Sequence, residues 1–572
     1  MTNIEIAEKF ERTANLLEIK GEVIYKVLAY RRAAENIRLL TSDLANLSKE
    51  EILTIPSVGQ AIADKIHELL STGQLTFLKK LESEVPPSLI DLLSVQDLGA
   101  KKAALFWKKA GVTNLKELEA AAIAGKLRVL PSMGEKSEAR ILAGIQALKQ
   151  AKTRLPIHKA WEITDEWLAK LRKIKELERV EVAGSLRRWK TSIGDLDFVG
   201  ISKDPKKVMG AFINLPSVQR VIALGEFKSS VEVSGNINIQ LWLQPAERFG
   251  SLWQFVTGSK EHNVHLREVA LRKGLSLSER GFLTNDLQEI LCPQEENVYL
   301  SLNLPWIAPE LREDRGEIQA AINGDLPELV AIGDIHADLH VHSHWSDAKS
   351  TLEEMIQEAI SRKINVLAIT DHSVSTLGMV GMDAHRLSDQ KIELQKLQEK
   401  YQEKITLLQG IEAEIADDGS LDLPNEVLSG LDIVVASLHE SIDQPREQIT
   451  QRLIKVIQHP HVDIIAHPGG REVPRTEGAD LDWEKVFNAA KENQVALEIN
   501  CNPIHLDLNE INTRAAAEMG VLISINTDAH ALQKFENLKF GVAIARRGWL
   551  QKNSIINSWP TQKLLNWLRN RR

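Results

Sequence analysis

Residues 336–348 read HADLHVHSHWSDA. His340 and His342 are two positions apart, so on a strand both imidazoles project from one side, and Asp347 follows in the next loop. From this run onward, strand-like segments alternate with helix-like ones: ADLHVH, NVLAIT, ITLLQGIEAEI, DIVVASLH, VDIIAHP, VALEIN and VLISINTD. Seven β units with helical spacers predict a parallel α/β barrel whose functional groups sit at the C-terminal ends of the strands.

Those ends carry metal-type residues: His340 and His342 with Asp347, then His372, Glu412, His439, His467, and finally Asp528 with His530. A single histidine at a strand end is often a hydrogen-bonded core residue; nine ligand-type side chains at successive ends predict a site for two or three divalent ions. Imidazole with carboxylate suits Mn²⁺, Zn²⁺ or Fe²⁺, and such a cluster stabilises both the attacking and the leaving oxygen of a phosphoester. His336, His344, His385, His459, His461 and His505 fall outside the pattern and read as surface or supporting residues.

Composition agrees with that weighting. Of 16 histidines in the 572 residues, 12 lie beyond residue 330. The chain is 43% apolar and 26% charged, with a formal net charge of -9, which excludes a collagen-like, wholly disordered or generally basic DNA-coating protein. Residues 1–150 nevertheless hold 21 basic against 19 acidic side chains. No apolar run is long enough to span a membrane, and MTNIEIAEKF is no signal peptide. Two cysteines, Cys292 and Cys501, make no disulfide framework, which fits a reducing cytoplasm.

Two further patterns precede the barrel. In the middle, Gly184-Ser185-Leu186-Arg187-Arg188 is followed by Gly194-Asp195-Leu196-Asp197. The Gly-Ser turn offers backbone N–H groups and a hydroxyl to phosphate, with Arg187 or Arg188 as charge partner; Asp195 and Asp197, on one face of a strand, suit two Mg²⁺ or Mn²⁺ ions. In the helical first 150 residues a hairpin recurs three times before a helix, ending at Gly59, Gly99 and Gly134. A helix N-terminus there presents backbone N–H groups to a phosphate, a contact blind to sequence.

Together these motifs resemble two families. HADLHVHSHWSDA, ITDHS, GIEAEI, SLHE, AHPGGR, LEINCNP and NTDAH are similar to the polymerase and histidinol phosphatase (PHP) phosphoesterase domain. That resemblance carries over a trinuclear site as His340, His342, Asp347, His372, Glu412, His439, His467, Asp528 and His530, with Ile504-His505 standing where the family usually has a basic residue. Residues 1–315, with Thr257-Gly258-Ser259-Lys260, resemble a bacterial-type family X DNA polymerase, for which a PHP domain is the expected partner. The implied fold class is multidomain α/β: a helix-hairpin-helix N-terminal domain (1–84), helix-hairpin-helix fingers (85–150), a mixed α/β nucleotidyltransferase palm (151–243), a small thumb (244–316), a linker (317–334) and a distorted parallel PHP barrel (335–572).

The resemblance also implies roles. Gly184, Ser185, Arg188, Thr257, Gly258 and Lys260 would hold nucleotide or DNA, with the hairpin glycines on the DNA backbone. Ser57, Asp97 and Ser132 stand where the hairpins commonly have a first glycine, and Asp97 puts an acid where phosphate should sit. Lys65 matches the Schiff-base lysine of a deoxyribose-phosphate lyase, but its expected neighbour is Ala61, so a solvated helix lysine is the favoured reading. The family's third catalytic aspartate falls seventeen residues before Thr257, where this chain has Gln240, with Trp242 in place of an arginine. The resulting expectation is a DNA repair enzyme acting on gapped or 3′-ended DNA, with a Mn²⁺-dependent 3′–5′ exonuclease in the barrel and an impaired polymerase core. Glu232 or a register shift is the alternative that would rescue the core. The competing readings are a fully bifunctional polymerase and exonuclease using deoxynucleotides, and a phosphatase of a small ester such as histidinol phosphate.

Overall fold

A computed structural model of the chain describes residues 3–38, 40, 44–55, 57–93, 95, 98–131, 133–149, 154–374, 381–473 and 476–571. The chain forms two compact units, Met1–Thr153 and Arg154–Arg572.

The first unit is helical. Its helices include Asn3–Lys20, Ile24–Arg38, Gln60–Thr72, Thr76–Glu84, Ala100–Ala110, Leu115–Ile123 and Glu135–Lys149. In Gln60–Thr72 the buried residues Ile62, Ala63, Ile66 and Leu69 recur at helical spacing and line one stripe, and Gly73, at φ 70°, ends the helix in the left-handed conformation. Leu16, Ile66, Val85 and Phe106 belong to one shared core.

The second unit contains the two sheets anticipated from the sequence. The middle sheet has five strands in the spatial order Arg179–Val182, Asp195–Ile201, Ile237–Gln244, Lys228–Val233, Val218–Leu224. Asp195–Ile201 and Ile237–Gln244 run parallel, with Asp195 opposite Asn238 and Asp197 opposite Gln240. Lys228–Val233 (KSSVEV) is a strand that the sequence reading passed over, because its serines and glutamate hide the alternation. After this sheet, the helices Phe249–Thr257 and Lys260–Arg272 and a three-stranded hairpin sheet lead to a core around Tyr299 and Ile307.

The barrel has seven parallel strands in chain order: Ala337–Val341, Val366–Ile369, Thr406–Glu414, Ile433–Ser437, Ile464–Ile465, Ala496–Asn500 and Ile523–Asn526. These are the seven runs picked out from the sequence. Every residue of Ala337–Val341, Ile433–Ser437 and Ala496–Asn500 is buried, as expected of strands covered on both faces. The covering helices are amphipathic; Leu352–Ser361 starts at a Thr351/Glu354 capping box and buries Leu352, Met355, Ile356 and Ala359.

Side chains hold the seam between the first and last strands. Asn557, fully buried, donates to the carbonyls of Ala337 (3.0 Å) and Ile525 (2.8 Å) and accepts from the Ile525 N–H (2.8 Å). The Leu339 N–H donates to Asn526 (3.1 Å), and Thr527 donates to Asp338 through its N–H (3.1 Å) and hydroxyl (2.5 Å). Asn557→Ala leaves several buried backbone groups unpaired, each costing about 1–3 kcal/mol. The expected result is a loss of about 2–4 kcal/mol in the stability of this unit, read as a lower urea midpoint with an unchanged slope.

Candidate functional site

All nine ligand-type residues converge at the C-terminal mouth of the barrel. Glu412, within Thr406–Glu414, lies at the centre. Its Oε2 is 2.8 Å from His372 Nδ1, 3.3 Å from His340 Nε2 and 3.5 Å from His342 Nε2; its Oε1 is 3.3 Å from His467 Nε2 and 3.6 Å from His439 Nε2. Asp528 Oδ1 approaches His342 Nε2 (3.1 Å) and His340 Nε2 (3.7 Å), and Asp347 approaches His530 Nε2 (3.2 Å). His467 and Asp528 hold left-handed backbone angles, φ 28° and 51°, uncommon for residues with a Cβ and frequent at functional sites.

These side chains fit divalent ions. Three sets, His342/Asp347/His372/His530, His340/His342/Glu412 and His372/Glu412/His439, each bring ligand atoms within 4.8 Å of one another. Among the described residues, His340 Nε2, both ring nitrogens of His342, His372 Nδ1 and Glu412 Oε2 are buried without a hydrogen-bond partner. Such orphaned atoms are rare in a folded interior and are the natural donors to a cation. Burial and the neighbouring His530 and His372 push His342 down to about 3, which leaves it neutral. Burial alone would raise the Glu412 carboxyl, but His372 and His340 hold it well below its usual range. The acids in turn raise the other rings, His340 and His372 above the ordinary imidazole value and His439 and His530 to about 9, so binding of a divalent ion would displace protons from them.

Supporting acids complete the centre. His340 Nδ1 bonds Glu498 (2.9 Å) and His439 Nδ1 bonds Glu414 (2.6 Å), which fixes which ring nitrogen faces the cluster. The sequence reading singled out neither acid, although Glu414 stands two residues from Glu412, on the same side of the strand, within the quoted GIEAEI. His505 stacks on His467 with ring centroids 5.8 Å apart.

The middle sheet places Asp195, Asp197 and Gln240 on one face, since cross-strand partners project to the same side. Gln240 Nε2 donates to Asp195 Oδ2 at 2.8 Å. Burial and the Asp195 charge push Asp197 up to about 8, a strong demand for a cation. Gly184, at φ 62°, backs directly onto the Asp197 carboxylate, and any Cβ there would collide with it. Ser185 beside it is half-buried. The two arginines have partners within the protein: Arg187 pairs with Glu295 (2.6 and 2.7 Å) and donates to the Thr257 hydroxyl (2.6 Å), while Arg188 pairs with Glu313 (3.1 Å) and donates to the Thr257 carbonyl. Thr257 and Gly258 are accordingly buried, and Lys260 is exposed at the start of its helix. Glu232 sits opposite Asn238, while Ser230 stands opposite Gln240; Glu232 is bound to Arg220 (2.9 Å).

Comparison with known proteins agrees with this arrangement. The helix-hairpin-helix domain family matches residues 1–75, the DNA polymerase beta thumb family residues 252–313, and the PHP domain family residues 338–502. A Bacillus subtilis protein named "DNA polymerase/3'-5' exonuclease PolX" is 35% identical over 558 residues, 97% of this chain and 97% of its own length. The chain belongs to the family X DNA polymerases with a PHP domain. Proteins named "Probable phosphatase" from Caldanaerobacter subterraneus and Acetivibrio thermocellus are each 35% identical but match only 34% of this chain, covering 75% and 78% of their own lengths. They share the PHP part of this family X polymerase alone.

In the polymerase's helical unit, Gly59 and Gly99 are N-caps of Gln60–Thr72 and Ala100–Ala110, and Gly134 precedes Glu135–Lys149. A Cβ built on any of the three meets nothing within 4 Å among the described residues, so there is open space beside each glycine. Ser57 takes φ 62°, the conformation for which glycine is suited; Asp97 and Ser132 lie outside the described residues. Lys65 is half-buried, with Nζ on the Ala61 carbonyl (3.0 Å), and both it and Lys26 lie over the Phe77 ring, 5.6 and 5.3 Å from its centroid. Among the described residues, no helix is long and apolar enough to cross a membrane.

Removing a supporting acid separates metal affinity from folding. Glu414→Gln is expected to weaken Mn²⁺ binding about 10–100-fold, measured by equilibrium dialysis, with an unchanged circular-dichroism spectrum.

Proposed function

We propose that the chain is a DNA repair enzyme whose PHP domain is a metal-dependent 3′–5′ exonuclease and whose polymerase core is impaired at Gln240. The observation that carries this reading is the convergence of nine ligand-type side chains, with orphaned buried nitrogens, in a chain that also bears hairpins and a thumb of DNA polymerase type. His340, His342, Asp347, His372, Glu412, His439, His467, Asp528 and His530 would hold up to three ions of Mn²⁺, Zn²⁺ or Fe²⁺. Bound divalent ions supply Lewis acidity toward a phosphodiester and a nucleophile at neutral pH. The protein's own part is placement. His340, His342 and Glu412 are sealed from solvent, whereas Asp347, His439 and His530 keep 25%, 32% and 31% of their side chains exposed and line the edge at which a 3′ end enters.

In the palm, Asp195 and Asp197 would hold Mg²⁺ or Mn²⁺ and, with Gly184 and Ser185, a deoxynucleotide. Gln240 adds no charge, occupies an oxygen of Asp195 and cannot take a proton from a primer hydroxyl; loss of a general base costs roughly 10²–10⁴-fold. The engagement of Glu232 with Arg220 argues against its rescuing the core. The helix entrances at Gly59, Gly99 and Gly134, with open space beside each glycine, would grip gapped DNA by its backbone. We retain the functional division at 84/85, 150/151, 243/244, 316/317 and 334/335, place the protein in the cytoplasm, and assign Lys65 no lyase role. A second reading, full polymerase plus exonuclease, is favoured by the name of the Bacillus subtilis relative over 97% of the chain. A small-ester phosphatase would leave the hairpins and palm without a use.

Primed, gapped DNA with Mn²⁺ and no nucleotide should lose length from its 3′ strand, and His342→Ala with Asp528→Ala should abolish that loss; shortening that persists in the double variant contradicts the metal assignment. When nucleotides are added, templated extension should be slow and should rise roughly 10²-fold or more in Gln240→Asp. Efficient extension by the unaltered chain establishes the bifunctional reading instead. Phosphate release from histidinol phosphate without action on DNA would establish the phosphatase.

A further inference from the structure

The last residue of the PHP-domain helix Leu538–Arg547 reaches into the polymerase half. The Arg547 side chain is fully buried. Its Nη1 donates to the Arg188 carbonyl (2.6 Å) and to Glu313 Oε1 (3.0 Å), and its Nη2 donates to Glu510 Oε1 (2.7 Å). The same Glu313 oxygen accepts from Arg188 Nε (3.1 Å), and the Arg188 Nη1 holds the Thr257 carbonyl. One guanidinium therefore ties the main chain just after the Gly184-Ser185 turn to the end of the thumb and to the barrel helix Glu510–Met519. Burial alone would raise the Glu313 carboxyl, yet Arg547 and Arg188 hold it down to about 2, so the node is charged at neutral pH. Trp189, on the same turn, packs edge-on against Phe540 of the Arg547 helix, ring centroids 6.1 Å apart.

We propose that Arg547 is a positioning residue for the palm: from within the PHP domain it holds the Gly184–Arg188 turn against the Asp195/Asp197 face, so that nucleotide binding in the polymerase half depends on the PHP barrel. This rests on the reading that the palm holds a deoxynucleotide. The turn leaves little latitude, because Gly184 already touches the Asp197 carboxylate, and a small rotation of Arg188 would move both the turn and Thr257. A guanidinium suits the post because its planar fork can serve a carbonyl and two carboxylates at once, which an ammonium cannot do with the same geometry.

The test compares two sites in the same full-length protein: dATP binding with Mg²⁺ by calorimetry, and hydrolysis of bis(p-nitrophenyl) phosphate with Mn²⁺ by the PHP site. Arg547→Met is expected to weaken dATP on the order of tenfold while diester hydrolysis is kept, and Arg547→Lys is expected to recover part of the loss. If Arg547→Met does not fold, Glu313→Gln, which cuts the same link from the thumb side, should show the same split. Unchanged dATP affinity in these variants overturns the inference. So does a loss of dATP binding and diester hydrolysis together, the mark of a general packing role. If the unaltered chain binds no dATP, the nucleotide reading itself falls and the inference with it.

Discussion

Burial of the Glu412 carboxylate is the constraint on which the catalytic half depends. A carboxylate this deep is costly unless charge and hydrogen-bond partners surround it, and here five imidazoles, from His340, His342, His372, His439 and His467, point at its two oxygens. They can do so only if the strands run parallel, end at one level and close into a barrel. Seam residues such as Asn557 and Asp338 close it, and Glu414 and Glu498 turn the rings inward. The same convergence leaves several nitrogens without protein partners, which makes the cluster a poor core and a good metal centre.

The barrel and the gathering of nine ligand-type side chains at its mouth were legible because they rest on local rules. Buried parallel strands read as continuous apolar runs, and all of them but VALEIN carry a ligand-type residue at or just beyond the end. What escaped reading depends on tertiary partners. Glu414 and Glu498 look like ordinary strand residues until a histidine faces them. Arg187 and Arg188 carry the right chemistry for phosphate, yet Glu295 and Glu313, more than a hundred residues away, hold them in place. Arg547 lies on an unremarkable helix end, and its role exists only where three distant segments meet.

The two halves differ in how completely their chemistry is furnished. The barrel brings all its ligand-type residues together, whereas the middle sheet sets the amide of Gln240 beside Asp195 and Asp197, which is where the proposed impairment lies. The register of Asp197 with Gln240 leaves no slip that would bring another acid to that position. The net charge of -9 does not oppose the proposed DNA binding: Asp347, Glu412 and Asp528 lie inside the ligand-type cluster, and helix N-termini would meet phosphate through backbone N–H groups without a basic total.

Glu412 belongs to two of the three candidate ligand sets, so the barrel would hold its divalent ions as close neighbours. Electron paramagnetic resonance of the full-length protein loaded with Mn²⁺ tests it most directly. Neighbouring ions should give a broad, spin-coupled spectrum that collapses toward isolated-ion lines in Glu412→Ala. An isolated six-line spectrum at full loading of the unaltered chain would contradict the account.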